Sequence, residues 1–196
     1  MIIDKNIEGE LVILTPFMEH HVSDAYLGWL SNQKINKYLE VRFMNFSESI
    51  AKEYVKSCNV SPDRYFLRIL SKEGVFIGTC TIFLNTHHKT AEVGLMLGNQ
   101  SCHNKGIGSE VVSLLTRFCC ADLSVRKVTA GVYASNVGSL KVFQKNGFVV
   151  EARLTMEVLL DEAPEDVYRL AYFCERSNNG FRLLQNKKDK MSRSTY

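Results

Sequence analysis

Residues 91–110, AEVGLMLGNQSCHNKGIGSE, restrict what this 196-residue chain can fold into more than any other stretch. The run continues an apolar-rich strand, residues 90–97, that carries one carboxylate, Glu92. Residues 98–105 are polar loop, followed by Gly106-Ile107-Gly108. Behind them Ile107, Val111, Leu114 and Phe118 recur at the spacing of one helix face. Strand, glycine-containing loop and helix N-terminus make a phosphate-binding arrangement. The first helical turn has N–H groups without intrahelical partners and carries the positive end of the dipole, and glycine lets a pyrophosphate approach that backbone closely. A dinucleotide, a nucleoside triphosphate or coenzyme A could all use it.

Details of the loop narrow the choice. A Walker loop ends in Gly-Lys-Ser/Thr, whereas here Lys105 precedes the glycine. A dinucleotide fingerprint needs a third glycine and an acidic residue about 20 positions on, where this chain has Arg126. The stretch instead resembles the acyl-coenzyme A (acyl-CoA) loop of the GCN5-related N-acetyltransferases, the GNAT family, with the pattern Arg/Gln-x-x-Gly-x-Gly/Ala. It reads His103-Asn104-Lys105-Gly106-Ile107-Gly108 and departs at the first position. Backbone N–H groups do most of that loop's work, so the departure is mild.

A second motif strengthens the resemblance. Asn136-x-x-Ser139, then Val142-Phe143-Gln144-Lys145-Asn146-Gly147-Phe148, is similar to the family's final acyl-CoA motif, which usually ends Tyr-Glu-Lys-x-Gly-Phe. The two motifs stand in the family's order, with one helix and one strand between them. Trp29-Leu30 followed by residues 35–38, together with Ala91-Glu92-Val93-Gly94, resemble the branch containing ribosomal-protein N-terminal acetyltransferases. Similar sequences also acetylate amino sugars in bacterial glycan synthesis.

Patterning along the chain is compatible with that fold. Residues 9–17, 64–70, 75–84, 90–97, 128–133, 148–158 and 166–174 read as strands; Lys72-Glu73-Gly74 and residues 85–89 are hairpin turns. Helical spacing marks residues 22–30, a short piece at 33–39, a helix opened by Asn45-x-x-Glu48, and the helix after Gly106. A short helix follows Asn136, with Leu140 and Phe143 inward and Asn146-Gly147 as its left-handed stop. The expected class is α/β (mixed α+β): a central mixed, mostly antiparallel sheet flanked by helices on both faces, as in the GNAT acyl-CoA N-acyltransferase fold. Residues 1–175 form one domain, and residues 176–196 a basic, flexible tail.

Composition excludes several alternatives. Net charge is +3, and the tail accounts for it, because Arg176, Arg182, Lys187, Lys188, Lys190 and Arg193 face only Glu175 and Asp189. The near-neutral remainder argues against a nucleic-acid partner. No apolar run approaches the roughly 20 residues of a membrane span, and the N-terminus lacks a basic-then-apolar signal, so no membrane role is expected. The six cysteines have neither a disulfide framework nor zinc spacing, which implies small thiols in a reducing cytoplasm and no metal. His20-His21 and His87-His88 read as surface pairs.

Acetyl transfer from a thioester to an amine needs a neutral amine, a polarised carbonyl and a leaving thiolate. An alkyl amine of pKa near 10 is only about 0.1% neutral at pH 7, so a base that takes its proton helps. Glu92 is the candidate base, directly or through a water; alternation places it with Gly94 and Met96, opposite Ala91, Val93 and Leu95. The resemblance implies a carbonyl polarised by backbone N–H groups of Leu95, Met96 and Leu97, and a cofactor held by His103, Asn104, Lys105, Gly106, Ile107, Gly108 and Ser109. Asn136 either contacts the pantetheine arm or caps its helix. Many relatives have a tyrosine at the position of Phe143 to protonate the thiolate, which phenylalanine cannot do, so the resemblance leaves Phe143 a cofactor-binding role only. Ser139 becomes the substitute donor, with Tyr133 behind it.

Acceptor recognition is less specified. Asp161, Glu162, Glu165 and Asp166 on the last hairpin would attract a cationic amine. Arg42 could instead fork a substrate phosphate. The expected activity is acetyl-CoA-dependent N-acetyl transfer, without metal, to a protein or peptide N-terminal amine or a nucleotide-linked amino sugar, by a monomer or homodimer. A non-catalytic acyl-CoA-binding module is the alternative.

Overall fold

Strand alternation and helical spacing sort the apolar residues into two cores, one on each face of a single sheet. The computed structural model describes residue 3 and residues 5–177 and 180–183, with side chains to residue 174. In chain order it contains β1 (Ile7–Glu8), β2 (Val12–Pro16), α1 (Asp24–Ser31), α2 (Gln33–Asn36), α3 (Glu48–Val60), β3 (Arg64–Ser71), β4 (Phe76–Asn85) and β5 (Thr90–Leu97). After these come α4 (Ile107–Ala121), β6 (Lys127–Tyr133), α5 (Val137–Lys145), β7 (Val149–Leu160), β8 (Ala163–Ser177) and β9 (Gly180–Leu183). Short 3-10 turns lie at Glu19–His21, Glu40–Phe43 and Gln100–Cys102.

The strand order is β1-β2-β3-β4-β5-β6-β8-β7, with β9 added to β8. Every pairing is antiparallel except β5 with β6. The mixed, mostly antiparallel sheet expected from the sequence is therefore present, and β8 inserts between β6 and β7. Asp161 and Glu162, both at positive φ, make the two-residue turn from β7 into β8. Strand structure continues past residue 175, through Ser177 and into β9; the rest of the basic tail lies outside the described residues.

On one face α4 packs into the larger core. Ile107, Val111, Leu114 and Phe118 are all buried, as their spacing predicts, and Val112, Leu115, Cys119 and Cys120 join them. Truncating Leu115, which is fully buried, to alanine would cost about 2–5 kcal/mol. On the other face Phe17, Tyr26, Leu30, Ala51, Val55, Phe66 and Met96 bury α1 and α3 against the sheet. The cap of α3 is Ser47, whose hydroxyl accepts from Ile50 N–H, and not Asn45.

The cysteine expectation needs correction. Cys120 of α4 and Cys174 of β8 form a disulfide, with Cα atoms 5.7 Å apart. Cys58, Cys80 and Cys119 are buried free thiols, and Cys102 is half-buried. Successive helical residues point about 100° apart, so Cys119 enters the core while Cys120 turns toward β8. A pairing across 54 residues leaves no spacing signature in the sequence.

Candidate active site

The site begins where two parallel strands stop pairing. The β5–β6 ladder contains only Thr90↔Lys127, Ala91↔Val128 and Glu92↔Thr129. Both strands continue, β5 to Leu97 and β6 to Tyr133, each bonded only to its outer neighbour. Their facing backbone edges, 93–97 and 130–133, thus border a gap in the sheet. The expected carbonyl-polarising residues Leu95, Met96 and Leu97 lie on one edge of it. Met96 is buried in the α1–α3 core, and Leu95 and Leu97 pack against the α4 core.

The loop beyond Leu97 folds back toward α4. Gly98 lies against the Trp29 ring so closely that a Cβ there would fall inside it, which fixes α1 at the loop's start. His103 Nε2 lies 3.3 Å from Leu97 O. His103, Asn104, Lys105 and Gly106 are exposed, with Asn104 at φ 60° and Gly106 at φ 81°. Gly106 is the N-cap of α4 and has no side chain to satisfy the first turn, so the N–H groups of Ile107, Gly108 and Ser109 stay available to an anion. Ile107 contributes backbone only, since its side chain is in the core. Ser109 Oγ accepts from Asn146 Nδ2 at 3.0 Å, joining the start of α4 to the end of α5.

Glu92 sits at the last position where β5 pairs with β6, and both of its carboxylate oxygens are engaged. Arg169 of β8 donates from Nη1 to Oε1 at 3.1 Å and from Nη2 to Oε2 at 2.8 Å. The Glu92 bond is the main cause holding the Arg169 pKa above its ordinary value. The carboxylate therefore enters the site already oriented by a cation that the sequence did not suggest.

The α5 residues divide between capping and core. Asn136 is the N-cap, its Oδ1 accepting from Ser139 N–H at 3.2 Å, so it does the capping that competed with ligand contact. The Ser139 hydroxyl is half-exposed and has no hydrogen-bond partner among the described residues. Phe143 is 2% exposed and packs edge-on against Phe148 at 5.0 Å, as a core residue.

On the acceptor side the residues singled out are largely committed to one another. Arg42 donates to Lys37 O at 2.8 Å, Leu39 O at 3.4 Å, Leu159 O at 2.8 Å and Tyr133 Oη at 3.1 Å. Its guanidinium also lies 4.3 Å from the Phe43 ring centre. It is a junction tying the Glu40–Phe43 turn to β6 and β7, not a free phosphate fork. Tyr133 donates its proton to Glu40 Oε1 at 2.5 Å; burial, then this bond, push its pKa up. That weakens Tyr133 as a proton donor to a thiolate. Among the hairpin carboxylates, Asp161 pairs with Lys37, Glu165 accepts from Ser135 N–H, and Asp166 accepts from Arg153 and Met156 N–H.

Sequence reasoning missed Arg169 and Glu110. Glu110, in the first turn of α4, accepts from the N–H groups of Glu10, Leu11 and Val12 and anchors the site helix to the N-terminal turn. Only the acidic residue itself, early in a helix, was visible in advance.

Comparisons with known proteins identify the family and the fold. A family model described as "Acetyltransferase (GNAT) domain" matches residues 12–149. Alpha/beta-tubulin-N-acetyltransferase 9 of Homo sapiens is 23% identical over 171 residues, covering 78% of this chain and 80% of that protein. Among solved structures, the ribosomal-protein alpha-N acetyltransferase RimL in complex with CoA superposes with a TM-score of 0.78, at 18% identity over 86% of this chain and 98% of that one. Spermidine N-acetyltransferase of Vibrio cholerae, in complex with CoA and spermine, gives a TM-score of 0.74 at 17% identity over 84% and 96%. At these identities the solved structures establish the shared fold.

Proposed function

The chain belongs to the GNAT acetyltransferase family, and from that premise we propose that it transfers acetyl from acetyl-CoA to the N-terminal amine of a protein or peptide, by direct attack in a ternary complex. The observation that carries this reading is the unpaired β5–β6 gap ending at an uncapped helix N-terminus. Pyrophosphate would take the N–H groups of Ile107, Gly108 and Ser109, with His103, Asn104 and Lys105 beside it. The pantetheine arm would then lie along the edge formed by Leu95, Met96 and Leu97.

The chemistry follows from what surrounds the gap. The amine nitrogen attacks the thioester carbonyl carbon, the C–S bond breaks, and CoA leaves as thiolate. Backbone N–H groups of the β5 edge stabilise the carbonyl oxygen as charge gathers on it. Glu92 takes the ammonium proton, directly or through a water, using the lone pairs that Arg169 leaves open. Ser139, with its hydroxyl free, hands a proton to the thiolate and is resupplied by water. No metal is needed at any step.

An N-terminal amine is favoured over a nucleotide-linked amino sugar because Arg42, the one guanidinium expected to meet a diphosphate, is consumed by four hydrogen bonds. The tubulin and ribosomal-protein names of the relatives point the same way. We place the reaction in the cytoplasm, where acetyl-CoA and nascent protein N-termini are both found, and where the Cys120–Cys174 pair would be open to reduction. The deciding experiment measures thiol release from acetyl-CoA with peptides bearing free N-termini and, separately, with nucleotide amino sugars. Release with peptides, and a peptide product acetylated at its N-terminal amine, is expected. Release with sugars alone overturns the acceptor, and binding without release leaves an acyl-CoA-binding module.

A further inference from the structure

We infer that Arg169 is a positioning residue for acetyl transfer, holding the Glu92 carboxylate at the edge of the β5–β6 gap by reaching across Gly131. The inference rests on the reading that Glu92 takes the acceptor's proton.

The register carries the argument. Glu92 of β5 pairs with Thr129 of β6, and Gly131, two residues on, pairs with Arg169 of β8. Paired residues, and residues two apart on one strand, share a sheet face, so Glu92, Thr129, Gly131 and Arg169 all stand on the same side. The arginine must therefore cross the whole width of β6 to form its fork on Glu92. It does so over the one position without a side chain: a Cβ at residue 131 would lie 3.1 Å from Arg169 Nη1. Next to Glu92 on its own strand face is another glycine, Gly94, which offers the carboxylate no wall. The paired cross-strand neighbours of Glu92 are Phe83 and Thr129, and the guanidinium is the group that bonds both of its oxygens.

Stability is a poor explanation for this arrangement. The Glu92 and Arg169 side chains are 45% and 35% exposed, and half-solvated ion pairs contribute little to folding. Orientation is a better one. A fork takes one lone pair from each carboxylate oxygen and leaves the others in a fixed direction, which a flexible solvated glutamate would not do. Glu92 first, and Glu151 and Glu157 more weakly, favour the charged form of Arg169, so the fork keeps its cationic partner.

The test is a kinetic double-mutant cycle with acetyl-CoA and a short peptide carrying a free N-terminal amine. Arg169→Met should lower kcat by up to about 10²-fold, as expected for a misplaced catalytic group, with KM for acetyl-CoA and the melting temperature nearly unchanged. In a Glu92→Gln background the same change should cost nothing further, because the group it positions is already gone. Arg169→Lys should restore part of the rate, and Gly131→Ala should lower kcat in the same direction by displacing the fork. Full kcat in Arg169→Met, or losses that multiply in the double variant, would overturn the inference while leaving Glu92 as base. Full activity in Glu92→Gln would remove the base itself, and the positioning role with it.

Discussion

Replacing Glu110 with alanine should destabilise the protein through the platform on which the cofactor loop rests. Its carboxylate accepts three backbone N–H groups, from Glu10 at 2.7 Å, Leu11 at 2.8 Å and Val12 at 2.9 Å. Hydrogen bonds to a charged group are worth about 1.5–3 kcal/mol when shielded and well below that in water. The Glu10 and Leu11 donors are on exposed residues, where water replaces the carboxylate at a loss of about 0.5 kcal/mol each. Val12 is fully buried, so its N–H contributes about 1.5 kcal/mol. The sum is roughly 2–3 kcal/mol, or a melting temperature about 5–10 °C lower for a domain of this size. Thermal and urea unfolding would measure it. A Cβ at Gly9 would lie 2.6 Å from the same carboxyl group, so Gly9→Ala should also destabilise, and adding it to Glu110→Ala should change little. A melting temperature within about 2 °C of wild type for Glu110→Ala, or full additivity with Gly9→Ala, would refute the reasoning.

Three further outcomes are expected. Ser139→Ala should lower kcat by about 10²-fold without moving the melting temperature, because Asn136 holds only the residue's backbone N–H; an unchanged kcat would remove Ser139 from the chemistry. His21 accepts Met18 N–H on Nδ1, and burial, then Arg68 and His20, depress its pKa to about 4. The unfolded chain therefore takes up a proton that the folded one refuses, so stability is full above pH about 6.5 and falls as pH drops toward 4. Urea midpoints across that range should flatten in His21→Gln, and an identical slope would exclude His21 as the cause. The Cys120–Cys174 link closes a loop worth at most about 4 kcal/mol in chain entropy. Alkylation of denatured, unreduced protein should then modify four cysteines, Cys58, Cys80, Cys102 and Cys119; six modified would mean the pair is a dithiol.

Local features were legible in the sequence because each follows from a neighbour. Strand 90–97 has the bounds its alternation implied, and Gly147 holds the positive φ that its place at the end of α5 required. The buried face of α4 follows from four residues at helical spacing. What could not be read joins positions far apart in the chain. Arg169 reaches Glu92 across 77 residues, and Arg42 reaches Leu159 across 117. Both depend on β8 inserting between β6 and β7, a pairing choice with no local signature. His21 was missed although its contacts are local: it read as half of a surface pair, but it stacks beside Phe17 and closes its own turn on Met18 N–H.

On the proposed reading, acetyl-CoA lies in the β5–β6 gap with its pyrophosphate on the first turn of α4. Titrating CoA into isotopically labelled protein and following backbone amide resonances tests it most directly. The largest shifts should fall on Gly106, Ile107, Gly108 and Ser109, with a second group at Leu95–Leu97. A Gly106→Asn variant, whose side chain tolerates φ 81°, should keep the fold and weaken these shifts, while the β-branched Gly106→Val should lose them at equal CoA concentration. Shifts confined to another surface, or an unchanged titration in folded Gly106→Val, would contradict the account.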